Sequence, residues 1–88
     1  MELLAQGNSM FPTLKSGLKY EMHIVSKDDI SVNDIIAFWA DEKIICHRVI
    51  KVLRFGNKKI FYKTKGDNCD FYDPFAVPFE SVIGKVIL

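Results

Sequence analysis

The chain has 88 residues, 49% of them hydrophobic and 12% aromatic, so it is one domain at most, can build a compact core, and is neither disordered nor collagen-like. Twelve Lys and Arg against eleven Asp and Glu leave a net charge of +1, which argues against binding nucleic acid by bulk charge while leaving room for a local basic stripe. Two cysteines are too few for a disulfide scaffold, and no Cys-x-x-Cys or His-x-x-x-His pair suggests a metal.

The opening segment, Met1-Glu2-Leu3-Leu4-Ala5-Gln6-Gly7, has no basic leader and no apolar stretch of signal-peptide length. One short helical turn is expected after Ser9, with Pro12 near its start. Residues 18–25 alternate apolar with polar until their end, as a half-buried strand does. A weaker helical turn is expected around Lys27-Asp28-Asp29-Ile30. Residues 34–40 form a short apolar run, and residues 43–53 return rich in β-branched side chains, so the two read as a hairpin about the charged turn Asp41-Glu42-Lys43. A second turn at Phe55-Gly56-Asn57-Lys58 leads to a strand over residues 59–64. Lys65-Gly66-Asp67-Asn68 is turn chemistry, Asp73-Pro74 and Pro78 keep the next segment irregular, and residues 81–88 close as a strand. About five strands predict an all-β fold, a coiled sheet or small barrel forming a single domain over residues 1–88. No apolar run approaches the roughly 18–20 residues that span a bilayer. The expectation is a cytoplasmic protein without a membrane span of its own, or one held at the membrane periphery by a partner.

Three groups of residues carry chemistry. In Gly7-Asn8-Ser9-Met10-Phe11-Pro12-Thr13-Leu14 a serine sits on a tight turn. It is either a nucleophile with backbone N–H groups nearby for an oxyanion, or the cap of a short helical turn. In Ile45-Cys46-His47-Arg48-Val49-Ile50, strand alternation sets His47 beside Ile45 and Val49 and turns Cys46 and Arg48 the other way. This disfavours Cys46 and His47 as joint ligands of a metal. His47 on an apolar surface is either a neutral proton acceptor or a core-edge histidine donating to a backbone carbonyl. Between Thr64 and Asp73 lie Asp67, Asp70 and Asp73. They read as a solvated loop, or as the source of a carboxylate that orients a catalytic group, and the glutamate that closes a calcium loop is missing.

The order and spacing of these groups, with residues 34–38 and the closing Ile83-Gly84-Lys85-Val86, resemble signal peptidase I over residues 7–87. More distantly they are similar to the LexA-like self-cleaving domains. The resemblance implies a serine endopeptidase of that fold with Ser9 as nucleophile. His47 stands where bacterial members usually carry a lysine base, so the chain looks like the endoplasmic-reticulum type. Asp73 is then the favoured support for His47, Asp67 a possible structural or supporting residue, and Asp70 the least favoured.

The chain also departs from the family. Leu18 follows Gly17 where an aspartate is usual, Cys69 follows Asn68 where a second Asn is common, and Gly7 cannot lend a hydroxyl to an oxyanion hole. The implied partner is a peptide or protein bound as an extended strand and cut after a small residue. No cofactor, metal or nucleic acid is expected, and self-association through sheet edges is allowed. The alternative is a catalytically idle peptide- or partner-binding module on the same fold. Met10 and Phe11 read as packing or pocket-lining residues, Trp39 as a core or edge aromatic, Arg48 as the partner of a carboxylate, Cys46 and Cys69 as reduced thiols, and His23 as without a role.

Overall fold

Period-two alternation becomes strand along most of the chain. In β2 (Lys19–His23), Met22 is buried and Tyr20 half-buried, while Glu21 and His23 face solvent. The structure, a computed structural model, describes residues 1–56 and 58–88; Asn57, in the turn expected at residues 55–58, lies outside the described residues. Around β2 are β1 (Glu2–Leu4), β3 (Ile35–Ala40), β4 (Lys43–Phe55), β5 (Lys59–Lys65), β6 (Ala76–Pro78) and β7 (Val82–Ile87).

All seven strands belong to one antiparallel sheet ordered β1-β2-β7-β3-β4-β5-β6. The fold is therefore all-β, as expected, and the sheet is open, with β1 and β6 at its edges. Two of the strands exceed the expected five. β1 and β6 are three residues each, too short for alternation to reveal them. The segment after Ser9 is not helical; it is a run of turns tied by Phe11 N–H to Asn8 O at 3.1 Å and Leu14 N–H to Met10 O at 2.9 Å. Lys27–Asp29 is a 3-10 turn, and Phe79–Ser81 forms another that the pattern did not announce. No helix of the described residues is long and apolar enough to cross a membrane.

β3 explains its own apolar run. Ile35, Ile36, Ala37 and Phe38 are all buried because this central strand meets apolar side chains on both faces. Ile36 and Phe38 join Val49, Tyr62 and Val77 in one cluster; Ile35 joins Met10, Leu14 and Val86 in the other. Each such side chain contributes about 1.5–3 kcal/mol by burial. The β3–β4 turn keeps Asp41 and Glu42 at φ 51° and 64°, the left-handed pair that a two-residue hairpin turn requires.

A bulge shifts the β4–β5 register between Val49, opposite Thr64, and Lys51, opposite Lys63. The extra residue, Ile50, lets Val49 and Val52 both pack toward the same cluster while Lys51 stays exposed. Ile45, His47 and Val49 hold strict alternation ahead of it, so His47 sits at the border of the core.

Candidate active site

The Ser9 turn is anchored from beneath. Met10 and Leu14 are buried in the second cluster, which fixes the backbone on which Ser9 stands. Ser9 does not cap a helix, since none follows it; its Oγ lies 3.0 Å from Nε2 of His47. His47 is 8% exposed, with the Phe38 ring edge-on at a centroid distance of 6.4 Å. Its Nδ1 lies 2.7 Å from Oδ2 of Asp73. An ionised carboxylate only accepts, so Nδ1 carries the proton and Nε2 is left to accept from the Ser9 hydroxyl. The backbone-carbonyl alternative for His47 is thereby replaced by a carboxylate partner.

Asp73 is itself held. Thr64, fully buried, donates its hydroxyl to the same Oδ2 at 2.6 Å and accepts the Asp73 N–H at 2.9 Å. Lys63 Nζ donates to the Asp73 carbonyl at 2.7 Å and the Phe75 carbonyl at 3.1 Å. Ser9, His47 and Asp73 thus form one continuous hydrogen-bonded chain, drawn from a turn, a strand and a loop.

The other two aspartates lie outside that chain. Asp67 accepts from Arg48 Nε at 2.8 Å, Arg48 Nη2 at 2.7 Å and Thr13 Oγ1 at 2.6 Å. The Arg48 hydrogen bonds hold its carboxyl below the ordinary range, although burial works against them; the same bonds push Arg48 upward. Arg48 Nη1 also donates to the Asn33 carbonyl at 2.7 Å. Asp67 therefore braces β4 against the Ser9 turn rather than touching His47. Asp70 is exposed and forms no ion pair among the described residues.

Three contributors lay beyond the sequence reading. Thr64 carries no pattern that marks it. Gly66 packs so closely that a Cβ there would sit 2.6 Å from the Ser9 carbonyl oxygen, 2.7 Å from Cys69 Sγ and 3.1 Å from His47 Nε2. Asn68 then ties the loop to the turn, its N–H reaching Ser9 O at 2.8 Å and its Nδ2 reaching Asn8 O at 3.0 Å. The Lys65-Gly66-Asp67-Asn68 pattern signals a turn, but not what the turn presses against.

Beside Ser9 and His47 runs an open groove of about 1090 Å³, walled by β1 on one side and by Trp39, Ile44 and Cys46 on the other. Burial pushes the Cys46 thiol up to about 12, so the groove wall offers no competing thiolate nucleophile. Trp39, 53% exposed, stands at the groove rim, the edge position of the two expected for it. Met10 is buried and also lines the groove, while Phe11 is 47% exposed. His23 is exposed beside Glu21 at 3.2 Å.

No family model, curated protein or solved structure matches the chain.

Proposed function

We propose that this chain is a serine endopeptidase resembling signal peptidase I, of the type with a histidine base, acting in the cytoplasm. The observation that carries the reading is the hydrogen-bonded run from Ser9 Oγ through His47 to Asp73. His47 Nε2 takes the hydroxyl proton as Ser9 Oγ attacks a peptide carbonyl, forming the C–O bond of a tetrahedral intermediate. Asp73 holds the tautomer and stabilises the imidazolium. The imidazolium then protonates the amine as the C–N bond breaks, leaving an acyl-enzyme. Water deprotonated by His47 releases the acid and restores Ser9. Backbone N–H groups of the Ser9 turn would receive the oxyanion.

The groove supports a substrate in extended form. β1 is an edge strand with an unpaired side, against which a peptide can add as a further strand. Its scissile carbonyl then comes within reach of Ser9 with a small residue just before the cut.

The test is digestion of a diverse peptide library by the wild-type chain and by Ser9→Ala, with products read by mass spectrometry. Cleavage after small residues that disappears in Ser9→Ala is expected. Cleavage that persists in Ser9→Ala overturns the mechanism. Peptide binding without any turnover by either protein would assign the chain to the idle binding-module alternative.

A further inference from the structure

The net charge of +1 conceals a division along the chain. Residues 43–66 carry eight of the twelve cations and no acid, while the remainder carries four cations and all eleven acids. The cationic segment is the β4–β5 hairpin. β3 pairs with β4 only as far as Arg48, and β6 pairs with β5 only over Phe61–Lys63. Beyond those limits residues 53–55 and 59–60 have no flanking strand among the described residues, so the hairpin ends as a two-stranded arm.

The register decides what the arm displays. On its outer face Lys51 stands opposite Lys63, Leu53 opposite Phe61, and Phe55 opposite Lys59. The inner positions, Ile60 and Tyr62, are buried. Two lysines directly opposed on a sheet repel each other; Lys63 is drawn off toward the Asp73 and Phe75 carbonyls. Lys51, Arg54, Lys58 and Lys59 form no ion pair among the described residues. Between these cations, Phe55 is 57% exposed and leans edge-on against Phe61, with ring centroids 5.8 Å apart.

We infer that the outer face of this arm docks on an anionic lipid bilayer surface, with Phe55 entering the headgroup layer and Lys51 and Lys59 meeting lipid phosphates. Charge complementarity selects an anionic partner, and the arm's composition selects lipid over nucleic acid. The outer-face positions from Lys51 to Lys63 offer no Asn, Gln, Ser, Thr, Tyr or Arg to read bases. The phenyl rings pack edge against face instead of lying open for stacking. Lysines around a small apolar cluster are what an anionic interface retains. The arm's tip is eight residues beyond His47, roughly 25 Å along the strand, so docking leaves the groove uncovered. The inference stands apart from the peptidase reading.

The experiment is co-sedimentation of the full chain with vesicles of phosphatidylcholine alone and of phosphatidylcholine mixed with phosphatidylglycerol, at low and high salt. Binding to the mixed vesicles only, released by salt, is expected. Lys51→Glu with Lys59→Glu should lower partitioning by roughly tenfold or more, and Phe55→Ser should weaken it. Lys15→Glu with Lys19→Glu, the same charge change at exposed positions off the arm, should leave more binding than the arm pair does. Circular dichroism checks that each variant is folded. Failure to bind mixed vesicles, equal binding to neutral vesicles, or equal loss in arm and control variants overturns the proposal. So does a preference for a single-stranded or duplex oligonucleotide over the vesicles.

Discussion

Thr64 and Asp73 grip each other twice, backbone N–H to carbonyl at 2.9 Å and hydroxyl to carboxylate at 2.6 Å. The oxygen that receives the hydroxyl is the one that receives His47 Nδ1. Thr64 therefore acts on His47 through Asp73 as a positioning residue. Replacing it with Val keeps the shape and removes the donor, at a cost of about 1–3 kcal/mol. Asp73, no longer held at that oxygen, can turn away from His47 Nδ1, so kcat for peptide cleavage should fall while KM stays near the wild-type value. Thr64→Ser should restore kcat. An unchanged kcat in Thr64→Val would leave the residue a purely structural part.

Asp73→Asn removes the charge but keeps the size. The amide offers an N–H as readily as an oxygen to Nδ1, so the imidazole can settle in the tautomer that no longer accepts from Ser9. Turnover should drop by about four orders of magnitude, while Asp70→Asn, at an exposed position, leaves it within a factor of a few. Comparable kcat values for the two variants would contradict the assignment of Asp73.

Gly66 is required by contact, since the Ser9 carbonyl occupies the space a Cβ would need. Gly66→Ala should cost about 1–3 kcal/mol in urea unfolding through overpacking. It should also lower turnover by displacing the Ser9 turn from His47. Wild-type stability in this variant would mean that the loop and turn are not in such close contact.

The Asp67–Arg48 pair sets an acid sensitivity. Its carboxyl is held below the ordinary value of about 4 by the Arg48 hydrogen bonds, so the unfolded chain takes up this proton first as pH falls. The contribution to stability is whole above the ordinary value and is lost as pH falls through the lowered one. Asp67→Asn should lose about 1–3 kcal/mol at neutral pH and show a shallower fall in stability on acidification. Denaturant midpoints across the acid range decide this; parallel curves for variant and wild type would refute it.

Cys46, with its thiol pushed up to about 12 by burial, should stay unalkylated by iodoacetamide at mildly alkaline pH until the chain is unfolded. Rapid labelling of Cys46 in the folded chain, mapped by peptide mass, would show that the groove wall exposes this thiol.

Strand-forming segments were legible because alternation and β-branching are local properties. Residues 18–25, 34–40, 43–53, 59–64 and 81–88 all contain strands. β1 and β6 were not, because three residues hold no period and their pairing is supplied by β2 and β5. The turn after Ser9 was expected to be helical; buried Met10 and Leu14 hold it as successive turns. The division of charge was equally present in the order of residues, but the register alone shows that Lys51, Phe55 and Lys59 share an outer face.

By itself the sequence determined the strand-rich class, the hairpin about Asp41-Glu42, and the three places where an alcohol, an imidazole and carboxylates occur. These follow from side-chain chemistry and near-neighbour geometry, which a one-dimensional pattern records. The resemblance already favoured Asp73 over Asp67 as the support for His47, but only the tertiary structure shows the contact and its reason: Thr64 holds Asp73 at His47 while Arg48 claims Asp67. Contacts between residues many positions apart are set by strand order and bulge placement, and no local signal in the chain encodes them.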